Sequence, residues 1–162
     1  MNFQQKLAHI VLGHNSNSDL IKAAEVGLEE GVHSISLAIT AGISENENSL
    51  VLKEYFEKAL KELAIKLPNQ EEAMITLISY YSDKVLKHDL GVFEGITKIY
   101  EVVSNDCNSQ HWSDFAGHYH EHDELVNNWI RAETQEKQKE WIRESEKAII
   151  AELQNWKEKY KI

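Results

Sequence analysis

The chain is poor in helix-breaking residues, with 7 glycines and a single proline, Pro68, among 162 residues. Sandwiches and barrels need Gly- and Pro-rich turns at close intervals, so this scarcity excludes an all-β fold and favours long helices joined by short polar loops. Cysteine is almost missing as well. The one thiol, Cys107, sits in the polar loop Asn105–Ser109, so no disulfide framework exists. A secreted domain of this size more often carries an even, bridged set, and the expected compartment is the cytoplasm. His111 is close to Cys107 in sequence, but no activating partner is identifiable, and the thiol reads as a bystander. Met1–Lys6 lacks the charged start, apolar run and cleavage site of a signal peptide, and no later apolar run approaches a membrane-spanning length. Neither export nor insertion is expected.

Positive charge is also scarce: 17 Lys and Arg stand against 27 Asp and Glu, a net charge of −10. That balance repels a phosphate backbone, which removes nucleic acid from the expected partners, and it steers a basic protein partner inward.

Present in quantity are apolar residues, at 42%, recurring at helical spacing in nearly every segment. The length suits one domain. The expectation is an all-α fold over 1–162 with seven or eight helices, as stacked hairpins or an irregular bundle. Shorter helices fill 1–104, and two longer ones in 109–162 pack on them. No repeat of fixed period is apparent.

Helix ends are marked by small and polar residues. A first helix runs over Phe3–Leu12 and stops near Gly13, and a second follows Asn17-Ser18 and ends at Gly31. Ser34–Ala41 alternates like a strand, but Gly31 and Gly42 bracket it between helices, and it reads as a short helix. Ser44-Glu45-Asn46-Glu47 has capping-box spacing, placing a helix directly after it that runs to Pro68. Asn69 caps the next, with Glu71 and Glu72 in its first turn, and this helix stops near Asp89-Leu90-Gly91. Another buries Val92, Phe93, Ile96, Ile99, Tyr100 and Val103. The last two cover Trp112–Arg131 and Gln135–Tyr160. In the final helix Ile142, Ile149, Leu153, Trp156 and Tyr160 form a narrow seam that packs within the chain or pairs with a second copy.

Reactive side chains concentrate in His111–Glu124, which holds four of the eight histidines. Residues four and seven apart share a helix face, so His111, Asp114, His118 and His122 are candidate ligands for Zn²⁺ or non-haem iron. His9, His14, His33 and His88 are scattered elsewhere, and a solvated polar helix explains the same spacing. The segment also suits a protein interface. Trp112, Phe115, Tyr119 and Trp129 are aromatic anchors beside Asp114, Glu121, Asp123 and Glu124. The candidate partner-binding residues are therefore Trp112, Asp114, Tyr119, Glu121, Asp123 and Glu124. No phosphate loop, nucleophile elbow, His-Glu-x-x-His or paired-Cys zinc motif is present, and no catalytic residue is assigned.

The stretch Asp19–Ile43, with Gly31, Ser34-Ile35-Ser36-Leu37 and Ala41-Gly42, precedes the acidic amphipathic run Tyr55–Leu63. It resembles small all-helical bacterial proteins, some of them immunity-protein-like. The resemblance covers residues 19–63, marks helix ends, and carries over no catalytic residue. It implies an all-helical bacterial protein. No cofactor is expected, Zn or Fe on the His111–His122 segment being the alternative. The expected function is non-catalytic: an immunity or antitoxin-type protein whose acidic surface neutralises a basic toxin domain, such as a nuclease. The alternatives are a metal-binding helical bundle using His111–His122, and a structural homo-oligomer formed through the Ile142–Tyr160 seam.

Overall fold

The computed structural model describes residues 1–161 and is all-α. Among the described residues there are eight helices and no strand: α1 Phe3–Val11, α2 Asn17–Glu29, α3 Ile35–Gly42, α4 Ser49–Glu62, α5 Gln70–Leu86, α6 Val92–Val103, α7 Gln110–Val126 and α8 Gln135–Tyr160. No helix is long and apolar enough to cross a membrane among these residues. The chain divides into two compact units, Met1–Leu77 and Ile78–Ile162, with the division falling inside α5.

In the first unit Phe3, Leu7, Leu20, Ile21, Leu37, Leu52, Phe56 and Leu60 form the core. Helix α2 packs on α1, α3 and α4, and α3 packs on α4. At Gly27 a Cβ would stand 3.1 Å from the Phe3 ring and 3.2 Å from Leu37, so the missing side chain lets α1 and α3 close on α2. The alternating segment after Ser34 is helical because the Ser34 side chain accepts from the Leu37 N–H and Glu62 reaches back from α4. The Glu62 carboxylate accepts from the Ser36 N–H at 3.1 Å and the Ser36 hydroxyl at 2.7 Å, which holds it below the usual carboxylate range.

The same device closes α1, where the Phe3 N–H donates to Glu30 Oε1 at 3.0 Å. Helices α1 and α2 begin at Phe3 and Asn17, and α3 and α4 begin at Ile35 and Ser49, each 32 residues later. The closing glutamates, Glu30 and Glu62, are also 32 apart. Two helical hairpins therefore repeat in architecture, although the side chains along them do not repeat in sequence.

Helix ends follow backbone chemistry more than proline. After α4 the chain turns at Ala64, in the left-handed region at φ 52°. There Ala64 N–H donates to the Lys61 carbonyl and Ile65 N–H to the Leu60 carbonyl. This pair of bonds is a Schellman motif, and it stops the helix five residues before Pro68. The same motif ends α1 at Gly13, α2 at Gly31, α5 at His88 and α7 at Asn128. The expected capping box at Ser44–Glu47 does not open α4. Ser44 and Glu47 instead close a turn, with Asn17 Nδ2 donating to the carbonyls of Glu45 and Glu47, and Asn48 caps the helix through the Leu50 N–H.

In the second unit α6 packs on α7 and α8, and α7 packs on α8. Gly95 of α6 lies against Val85 of α5. The α8 seam is used inside this unit, where Ile149, Leu153 and Trp156 are buried. Two lysines of its last turn reach other helices, Lys157 to Asp83 of α5 and Lys159 to Asp114 of α7 at 3.2 Å. Lysine 157 donates to Asp83 and holds that carboxyl below its ordinary range.

Candidate functional site

Helix α7 starts at Gln110, two residues before the expected Trp112, because the Ser109 side chain accepts from the Trp112 N–H. It also ends earlier, at Val126 instead of Arg131, through the Asn128 turn. At 100° per residue the helix presents three faces. His111, Phe115 and His122 point into the unit and are buried. Trp112, Tyr119 and Asp123 lie toward α6. Asp114, Glu121 and Leu125 lie toward α8.

The inward face accounts for the two end histidines of the expected ligand set. His111 Nδ1 accepts from the Trp156 indole N–H at 3.2 Å, with the Tyr160 ring 5.1 Å away. His122 Nδ1 lies 2.9 Å from the Ser145 hydroxyl and its ring 5.3 Å from Phe93. Burial pushes the His122 imidazole below its usual pKa, against the opposing pull of Glu146, Glu121 and Asp123. Asp114 is held by Lys159 and by the Gln110 amide at 2.8 Å. His118 is half-buried.

These four residues do share one side of α7, but eleven residues separate His111 from His122. At about 1.5 Å per residue that is roughly 16 Å along the axis, far beyond the span of one coordination shell. Among the described residues no group of three or more His, Cys, Asp or Glu could hold a metal ion. The structure thus does not bring the set together. It does bring His9 and His14 together, with ring centroids 4.4 Å apart and Asp19 within electrostatic reach, where the sequence shows two scattered histidines.

The α6-facing side carries a cluster of rings. Tyr100 of α6 stacks on Tyr119 at 4.0 Å with 14° between planes, meets Trp112 at 5.4 Å, and receives the edge of His120 at 5.1 Å. Tyr100, Trp112 and Tyr119 are half-buried and His120 is exposed. Carboxylates lie close by: partial burial raises the Tyr119 hydroxyl above its ordinary pKa, and Asp123 and Glu101 add to the rise. On α5, burial pushes the Tyr81 hydroxyl up to about 12, with Tyr80 and Glu101 contributing. Asp123 accepts from Asn127 at 2.8 Å, and Glu101 pairs with Lys98 at 2.9 Å.

The segment that carries this face is acidic. Residues 89–134, which contain α6 and α7, hold nine acidic and two basic side chains, a net −7 of the chain's −10. Helix α8 with Lys161 is close to neutral, with six acidic and seven basic side chains.

The candidate partner-binding residues therefore divide between two flanks of α7. Trp112, Tyr119 and Asp123 gather with Tyr100 and Glu101, whereas Asp114 and Glu121 line the α8 side. Glu124 is half-buried, and its carbonyl accepts the N–H groups of Trp129 and Ile130. Phe115 is a core residue against Trp156, and Trp129 is exposed. Sequence reasoning placed Tyr100 in the core and passed over Glu101 and His120. The signal that finds them is the segmental charge count, which isolates 89–134 without a structure. Cys107 is exposed and its thiol lies 3.8 Å from the Ser104 carbonyl, while His111 faces Trp156.

Fold and site define an all-α protein with an acidic, aromatic helical face. No family model, no curated protein and no solved structure matches this chain.

Proposed function

We propose that this is a non-catalytic protein-binding protein of the immunity or antitoxin type, which neutralises a basic toxin domain by covering it with an acidic helical face. One observation carries the reading: the half-exposed rings of Tyr100, Trp112 and Tyr119 have the carboxylates of Asp123 and Glu101 beside them, in the segment 89–134 that holds most of the net negative charge. Half-exposed aromatic rings edged by carboxylates match what Arg and Lys side chains of a partner need, because the ring face and the carboxylate both attract the cation. The surrounding charge attracts such a partner at a distance and speeds encounter.

The test is co-expression with the product of the neighbouring open reading frame, followed by affinity measurement on the purified complex. A complex that protects the host cell is expected, with affinity that falls as salt rises, because screening sets in beyond about 8–10 Å near physiological ionic strength. Reversing Glu101 and Asp123 to Lys is expected to weaken it at least about tenfold, or 1.4 kcal/mol. The same reversal at the exposed Glu25 and Glu54 is expected to cost less. Absence of both complex and protection sinks the proposal.

A further inference from the structure

The corner between α7 and α8 leaves apolar surface uncovered. Trp129 is 76% exposed and Ile130 45%, while Trp156 is buried and Trp112 and Trp141 are half-buried. Trp129 directly follows the left-handed Asn128, a position whose apolar side chain ordinarily folds back on the helix. Here it stands in solvent.

Beside it a groove of about 400 Å³ runs between α7 and α8. Leu125, Ile130, Trp141 and Ala148 give it an apolar lining, and Glu121 of α7 and Glu144 of α8 line it as well. Both glutamates are exposed, and among the described residues neither is held in an ion pair. The Trp141 ring already draws a cation, with Lys137 Nζ 5.7 Å from its centroid.

We propose that this groove docks a cationic amphipathic segment of a protein partner, one apolar side chain seated against Leu125, Ile130 and Trp141, with Lys or Arg on Glu121 and Glu144. Charge complementarity selects that occupant. A second copy of the chain would bring Glu121 and Glu144 against their own equivalents, and like charges placed face to face are repulsive. A neutral apolar ligand would cover the lining and leave both carboxylates facing apolar surface without a partner. An exposed Trp beside a groove is the residue type that dominates interface energetics when covered.

The inference rests on the protein-binding reading but concerns the opposite flank of α7 from the Tyr100–Tyr119 face, so the two fail separately. The test uses the full chain, labelled with ¹⁵N, and three short synthetic peptides. The first places Leu and Lys at helical spacing, the second replaces Leu by Ser, and the third replaces Lys by Glu. The first is expected to bind, with amide shifts concentrated at Leu125, Ile130 and Ala148 and at the Trp129 and Trp141 indoles. Loss of Leu from the peptide, Ile130→Ser, or Glu121→Gln with Glu144→Gln is each expected to weaken it about tenfold or more. The third peptide is expected not to bind. Glu54→Gln, on the exposed side of α4, is expected to leave binding unchanged. No binding of the Leu/Lys peptide overturns the proposal, as does equal binding of the Ser/Lys peptide or shifts confined to the α6 side of α7.

Discussion

The hydrogen bond between His122 and Ser145 allows a clean perturbation, because Ser145→Ala removes a single oxygen from a site that is 6% exposed. The imidazole is 1% exposed, so its Nδ1 cannot turn to water and loses its partner outright. A buried polar group left this way costs about 1–3 kcal/mol. Alanine is a better helix former than serine by up to about 0.5 kcal/mol, which offsets part of the loss in α8. The expected net is about 1–2 kcal/mol, or a Tm lower by about 2–8 °C for a chain of this size. Urea titration followed by far-UV circular dichroism reads it as a shifted midpoint with unchanged slope. The cycle is completed with His122→Leu, which removes the other partner. Once both are gone no polar group is stranded, so the double variant is expected to be more stable than the sum of the singles by about 1 kcal/mol. Strict additivity, or a Ser145→Ala cost under about 0.3 kcal/mol, would refute the assignment of this bond as structural.

His122 is held below its ordinary pKa of 6.5, so the unfolded chain binds more protons than the native one as pH falls past that value. Its contribution is complete above pH 6.5 and is lost on acidification through the folded pKa, and His122→Phe is expected to flatten that part of a stability-against-pH curve. Ala64 adopts φ 52°, where a Cβ is strained, so Ala64→Gly is expected to stabilise by about 0.5–1 kcal/mol despite the looser unfolded chain, read by thermal melting. Gly95→Ala would set a Cβ 2.0 Å from Val85 Cγ2, and a loss of about 1–3 kcal/mol is expected in the same assay. If Gly95→Ala melts with the parent, the α5–α6 contact is looser than described.

Much of the fold was legible in the sequence because helix punctuation is local. Gly13, Gly31 and Asn69 mark real ends and starts, and the stripes of Leu20–Ile21 and Leu52–Phe56–Leu60 do face a core. The errors have two causes. Ala64, His88 and Asn128 end helices with a left-handed residue that is not glycine; Asn and His tolerate that region, but both types are also common elsewhere in the chain, and alanine gives no signal at all. Separately, Ser44–Glu47 satisfies the capping-box spacing, but the decision falls to Asn17, 28 residues from Glu45, whose amide pins the turn. The site was legible as a segment and not as a surface. His111–Glu124 stands out in the sequence by its histidines and carboxylates, yet its three faces depend on which helix covers which flank. Tyr100 joins Tyr119 only because α6 lies against α7, and pairing across helices leaves no local spacing to read.

The glutamates that close α1 and α3 lie only 27 and 26 residues from the amides they accept. Each hairpin of the first unit can therefore seal its own open end without waiting for distant chain, and short closures cost little loop entropy. Such local topology belongs to fast folders. In amide hydrogen exchange each hairpin is then expected to open as one segment, with protection at Phe3 tied to Glu30 and protection at Ser36 tied to Glu62. Removing one carboxylate would release the amides of its own hairpin while the other kept its exchange rate, a modularity that a core shared by all four helices does not by itself produce.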